Sequence, residues 1–189
     1  MLNLSLRKWT KVQVDAFRKA QSGKALSYDF PMITFDFKPV KGWNFDVQKA
    51  EVGEGQATFD FLKPQLLQWK QFPLGWTTIP YAESAFVGQT VAVEIQTLGI
   101  FTHHSCKVVA MIDEPNSFGI IYGTLPEHAE RGEELFMITQ NADGKVYYEI
   151  RAFSRPNFWY VWIGYPFLRL LQARFRRDSI RAVLATLTP

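Results

Sequence analysis

The chain has 189 residues, 47% of them hydrophobic and 21% charged, the balance of a single globular domain long enough to bury a core. Its one cysteine, Cys106, excludes an internal disulfide and fits a reducing, cytoplasmic setting; the uncharged run Pro156 to Leu168 falls well short of the roughly 20 residues that span a bilayer. The net charge of +3 hides basic ends, with six Lys or Arg against one Asp in residues 1–25 and five Arg against one Asp in 165–189, but no nucleic-acid-binding module accompanies them.

Charge at Arg7 and Lys8 interrupts the N-terminal residues too early for a signal peptide. Thr10-Lys11-Val12-Gln13 has the form of a capping box, so a helix is predicted from Thr10, ending before Gly23. Leu26 to Gly42 contains Pro31, Pro39 and Gly42 and reads as an irregular lead-in. Trp43 to Val52 reads as a strand. A helix follows from Gly53-Glu54-Gly55 to about Gln71, with Pro64 expected to kink or break it. The dinucleotide fingerprint that strand, Gly-x-Gly and helix invite fails at Thr58, where its third glycine belongs.

From Trp76 the pattern changes to period two. Strands are predicted over Trp76–Ile79, Thr90–Leu98, Ser105–Asp113, Ser117–Thr124, Glu133–Gln140 and Lys145–Ser154. Short turns between them make an antiparallel meander. The last element is a helix from Pro166 to Leu187 with Leu168, Leu171, Phe175 and Ala182 on one face. Burying five or six large apolar side chains there would contribute on the order of 10 kcal/mol before entropy costs. Arg169, Arg176 and Arg177 are expected in water. The aromatic run Phe158 to Tyr165 reads as a buried lid, or, with the arginines after it, as an interfacial anchor.

This order gives an α+β helix-grip fold: a curved antiparallel sheet of about seven strands around a long C-terminal helix. One domain spans residues 1–189, with 1–42 as lead-in and 43–189 as sheet and helix. A cavity commonly lies between the two layers, and 16 Phe, 7 Tyr and 6 Trp can line it or simply fill a core.

The densest chemistry is Tyr122-Gly-Thr-Leu-Pro-Glu-His-Ala-Glu-Arg-Gly-Glu-Glu134. A histidine beside carboxylates is an acid or base tunable across neutral pH, which makes His128, Glu130 and Glu133 catalytic candidates. Arg131 and Arg155 are candidates for an acidic ligand head, with Trp76 and Tyr122 as further ligand contacts. Tyr148 and Glu94 are lesser candidates, of undecided facing. His103 and His104 point to opposite faces of a strand, so only one can join Cys106, and no metal site is predicted.

With Phe72-Pro-Leu-Gly-Trp76, Ala152-Phe-Ser-Arg-Pro156 and Leu170-Leu-Gln-Ala-Arg-Phe-Arg-Arg-Asp-Ser179, that stretch resembles the family called domain of unknown function nineteen-ninety. The resemblance covers nearly the whole chain. It departs at Met32-Ile33-Thr34, where a Val-Gly-Ala-Thr-like stretch is expected. It implies kinship with pollen-allergen-like and START-like helix-grip proteins, among which are lipid and hormone carriers, cyclases and hydrolases. The expectation is a binding protein for a small hydrophobic, lipid-like ligand with an anionic head. An enzyme using His128 with nearby carboxylates, and a protein touching membranes through Trp159, Trp162 and the C-terminal arginines, are the alternatives; no cofactor is expected.

Overall fold

The computed structural model describes residues 3–188; Met1 and Leu2, part of the segment read above for a signal peptide, and Pro189 lie outside the described residues. Strands β1 (Asn3–Ser5), β2 (Asn44–Glu54), β3 (Thr77–Thr78), β4 (Thr90–Thr97), β5 (Ile100–Glu114), β6 (Ser117–Thr124), β7 (Glu130–Gln140) and β8 (Lys145–Pro156) form one antiparallel sheet. Its order is β2-β8-β7-β6-β5-β4-β3, with β1 beside the start of β5. Successive strands from β3 to β8 are neighbours, which is the predicted meander. A register shift between Val108 and Ala110 on β5 bends the sheet.

The helices are α1 (Lys11–Gln21), α2 (Ile33–Asp36), α3 (Gly55–Leu67), α4 (Trp159–Ile163) and α5 (Tyr165–Leu187). The capping box at α1 is formed: Gln13 Oε1 accepts the Thr10 N–H at 2.9 Å and Thr10 Oγ1 accepts the Gln13 N–H. Pro64 does not break α3. Its ring removes one donor, but the helix has one turn left to run, and Trp69, at φ 60°, then takes the chain out of it.

The concave face packs against α3 and α5 through Phe59, Leu62, Leu66, Tyr148, Ile180 and Val183. The outer face is covered too. The lead-in lies over Ile112, Ile121, Leu135 and Met137, and α1 sets Val14 and Phe17 against Ala92 of β4. The molecule is a helix-grip fold, gripped unevenly.

Along α5 only Ile180 and Val183 are buried apolar residues, worth about 3–6 kcal/mol together, so the larger burial expected for this helix is not reached. Leu168, Leu171 and Phe175 instead border a cavity. Two arginines expected in water turn inward: Arg176 is only 9% exposed, and Arg169 is tied to Asp46 of β2. The burial expected of Phe158–Tyr165 is also corrected, since Trp159 and Ile163 are 76% and 75% exposed. Five residues make one short helical turn and a half, too little to turn every ring inward, and α4 has no buried residue.

Candidate functional site

A cavity of about 140 Å³ lies between the concave face and the first half of α5. Its apolar wall comes from Phe72, Trp76, Val93, Ile95, Leu171 and Phe175. The polar end comes from β6, β7 and the loop between them: Tyr122, His128, Glu130 and Glu134, facing Gln172 and Arg176 of α5.

The inward stripe of α5 carries a polar residue at each turn, and each meets a partner on the sheet. Gln172 Nε2 donates to Glu130 Oε1 at 2.6 Å. Arg176 Nη1 lies 3.5 Å from Asp46 Oδ2. Tyr148 and Ser179 share a hydrogen bond of 2.9 Å between their hydroxyls. Next to these, Arg169 grips Asp46 through both terminal nitrogens, Nη2 donating to Oδ1 at 2.6 Å, and Asn44 Nδ2 donates to the Tyr165 hydroxyl. Burial would push the Asp46 carboxyl up, but these two arginines hold it below the usual carboxylate range.

The two glutamates of the cavity go the other way. Burial raises Glu134 to about 7; the Tyr122 hydroxyl donating at 2.8 Å and the charge of Arg176 only partly oppose it, and the charges of Glu130 and Asp46 add to it. Burial also raises Glu130, against hydrogen bonds from Gln172 and Ser154. His128 is pulled down to about 4 by burial. Its Nδ1 sits 3.0 Å from both the amide and the carbonyl oxygen of Glu130, accepting from the first or donating to the second according to the neutral tautomer, and its ring is 4.8 Å from that of His104. Near neutral pH His128 is therefore an uncharged imidazole with one nitrogen occupied. Glu134 is the group there that changes charge.

Glu133 also borders the cavity, but its carboxyl is turned to the outer face. Its carboxyl accepts four hydrogen bonds from the lead-in: the Tyr28 hydroxyl at 2.7 Å, the Met32 amide at 3.0 Å, and the amide and hydroxyl of Thr34, both at 2.7 Å. Its role is to hold the lead-in on the outer face, and His128 and Glu133 do not meet as an acid–base pair. Met32, where the chain departs from the resemblance, has φ 71°, a left-handed conformation that favours glycine. Gly123 is required here, since a Cβ there would lie 2.3 Å from the Tyr28 oxygen.

The two arginines expected at the cavity mouth are engaged elsewhere. Arg131 donates to Asn157 Oδ1 at 3.1 and 2.8 Å, and Arg155 stacks over Trp43 at 4.4 Å. Trp76 and Tyr122 do line the cavity, and Trp76 Nε1 donates to Asp178 at 3.1 Å. Tyr148 faces inward beneath α5. Glu94 lies outside the cavity, beside His103 at 3.1 Å. His103 stacks on Trp9 on the outer face, while His104 points inward. Among the described residues no three His, Cys, Asp or Glu side chains gather as metal ligands.

Sequence reasoning placed Glu134 in the stretch of densest chemistry but gave it no role, and it missed Asp46, Gln172 and Arg176 as site residues. The signal for the last two was present. Gln172, Arg176 and Ser179 fall on the same helical stripe as Leu168, Ile180 and Val183.

Compared with known proteins, residues 31–182 match the family model described as Domain of unknown function (DUF1990). A "UPF0548 protein" of Dictyostelium discoideum is 35% identical over 156 residues, covering 75% of this chain and 72% of that protein. A "UPF0548 protein" of Deinococcus radiodurans is 28% identical over 191 residues, covering 95% of this chain and 96% of that one. Among solved structures, a norcoclaurine synthase point mutant of Thalictrum in complex with a transition-state analogue is 10% identical, with a TM-score of 0.51, over 80% of this chain and 100% of that chain. At that identity the likeness is one of fold.

Proposed function

The chain belongs to the DUF1990 family, and on that premise we propose that it binds a small hydrophobic molecule, about one ring in size, between the sheet and α5. The observation that carries this reading is the cavity itself: about 140 Å³, with a largely apolar wall. An apolar cavity of roughly 150 Å³ holds one benzene. The space suits a ring or short chain rather than a long acyl chain, which narrows the lipid-like ligand expected from the sequence. With Arg131 and Arg155 turned away, an anionic head also loses the two partners first assigned to it.

Calorimetry with toluene tests the reading, using wild type and Leu171→Trp, whose indole would fill the cavity. Saturable binding to wild type and none to a folded Leu171→Trp is the expected result. Equal binding by both, or by neither, rules the cavity out.

A second reading rests on a separate observation. Trp159, Trp162 and Ile163 of α4, with Phe167 and Leu170 at the start of α5, form an exposed apolar run. Phe167 and Leu170 continue at helical spacing into Arg174, Arg177 and Arg181, three guanidiniums around the single carboxylate of Asp178. Aromatic residues followed by excess positive charge suit the surface of an anionic membrane. No helix among the described residues is long and apolar enough to cross one. Flotation with phosphatidylserine vesicles should be lost in Trp159→Ser/Trp162→Ser; flotation unaffected by that change would end the idea.

A further inference from the structure

Resting on that cavity reading, we propose that the bound molecule carries a cationic head, a protonated amine, received by Glu130 and Glu134. The argument begins with open acceptors. Glu133 has four donors on its carboxyl. Glu134, one residue on, accepts from the Tyr122 hydroxyl on Oε2 alone, and Glu130 accepts from Ser154 and Gln172 on Oε1 alone. Among the described residues, Glu134 Oε1 and Glu130 Oε2 receive no donor, and both side chains border the cavity. Two carboxyl oxygens without donors beside an apolar space select a guest that donates hydrogen bonds.

Charge then narrows the donor. The ionisable groups around this end are Glu130 and Glu134 of β7, Asp46 of β2, Arg169 and Arg176 of α5, and His128 of the β6–β7 loop. Tyr122, Tyr148, Tyr165 and Cys106 stand nearby with raised proton affinity and stay neutral, as do His128 and His104, whose affinity is lowered. Two fixed cations thus face three carboxyls. Fully ionised, the cluster carries one excess negative charge in a poorly solvated place. The free protein relieves it by keeping a proton, consistent with the raised affinity of both glutamates. One ammonium group balances the cluster and releases that proton. A carboxylate guest would add a fourth negative group.

The test is calorimetry at pH 6.5, where Glu134 still holds its proton, with four probes of one shape: toluene, benzyl alcohol, benzylamine and benzoate. Benzylamine should bind at least about tenfold more tightly than toluene, with benzoate weakest. Repeating the benzylamine titration in buffers of different ionisation enthalpy should show proton release. In Glu130→Gln/Glu134→Gln the advantage of benzylamine over toluene should vanish while toluene still binds, which also reports that the cavity is intact. Benzoate binding as tightly as benzylamine, or an undiminished benzylamine advantage in the double variant, overturns the cationic head and leaves the cavity standing. If neither toluene nor any other probe binds wild type, the cavity reading fails and takes this inference with it.

Discussion

The two faces of β7 put the same side chain to opposite uses. Glu133, on the outer face, is nearly inaccessible and accepts four hydrogen bonds from Tyr28, Met32 and Thr34. Glu134, on the inner face, has one donor, an affinity for protons shifted to about 7, and open space beside it. A carboxyl surrounded by matched donors holds structure together. A carboxyl left short of donors costs stability and gains reactivity, as functional positions commonly do. The difference lies in what the lead-in and α5 bring to each face, since the residue type is the same.

The strongest way to break this contrast is Glu133→Ala. It strands two amides and two hydroxyls of the lead-in and should destabilise the protein by about 3–5 kcal/mol, read from urea unfolding. A loss under about 1 kcal/mol would mean that the lead-in is not held there.

Glu134→Gln should act in the opposite direction, and its sign depends on pH. The folded protein holds the Glu134 proton up to about pH 7, whereas the unfolded chain releases it near 4.5, the ordinary value for a glutamate. Wild type therefore loses stability as pH rises between those values, by up to about 3 kcal/mol, and the loss is complete above pH 7. Urea unfolding at pH 8 should find Glu134→Gln the more stable protein, with the two curves converging at pH 4.5 and below. A variant no more stable at pH 8 would show that Glu134 is fully ionised without strain.

The smallest effect should come from Arg155→Ala. Losing a cation–π contact with Trp43 costs about 0.5–1 kcal/mol. Toluene and benzoate titrations should match wild type. A tenfold change in either would place Arg155 at the cavity after all and blur the division between the faces.

Much of the frame was legible in the chain because turns and period two are local signals. The limits of β6, Ser117–Thr124, are as predicted, and those of β4 differ by one residue. Three elements left no such mark. The strand β1 is three residues long, α2 is four, and α4 lies in a run so uniformly apolar that no period is visible.

The site was half legible for a related reason. Strand alternation puts Glu130 and Glu134 with Phe136 and Ile138, and Arg131 and Glu133 with Leu135 and Met137. In an ordinary sheet one of those apolar pairs would face water and settle the question. Here both are buried, one under α3 and α5 and the other under the lead-in. Parity was readable, but which parity faced the cavity was not. Arg155 on β8 suffers the same ambiguity, opposite Ser154. Asp46 escaped notice because its partners lie 123 and 130 positions away on α5.

The uneven hold on α5 has a consequence for how the molecule responds to its surroundings. Its first half is latched to the edge strand β2 by Asn44–Tyr165, Asp46–Arg169 and Asp46–Arg176, and its second half is seated on Ile180 and Val183. Ionic strength screens the two ion pairs of the latch, though less than it would at the open surface, whereas cooling weakens the apolar seat. Brine and ice thus loosen opposite ends of one helix, and only brine acts at the end that borders the cavity.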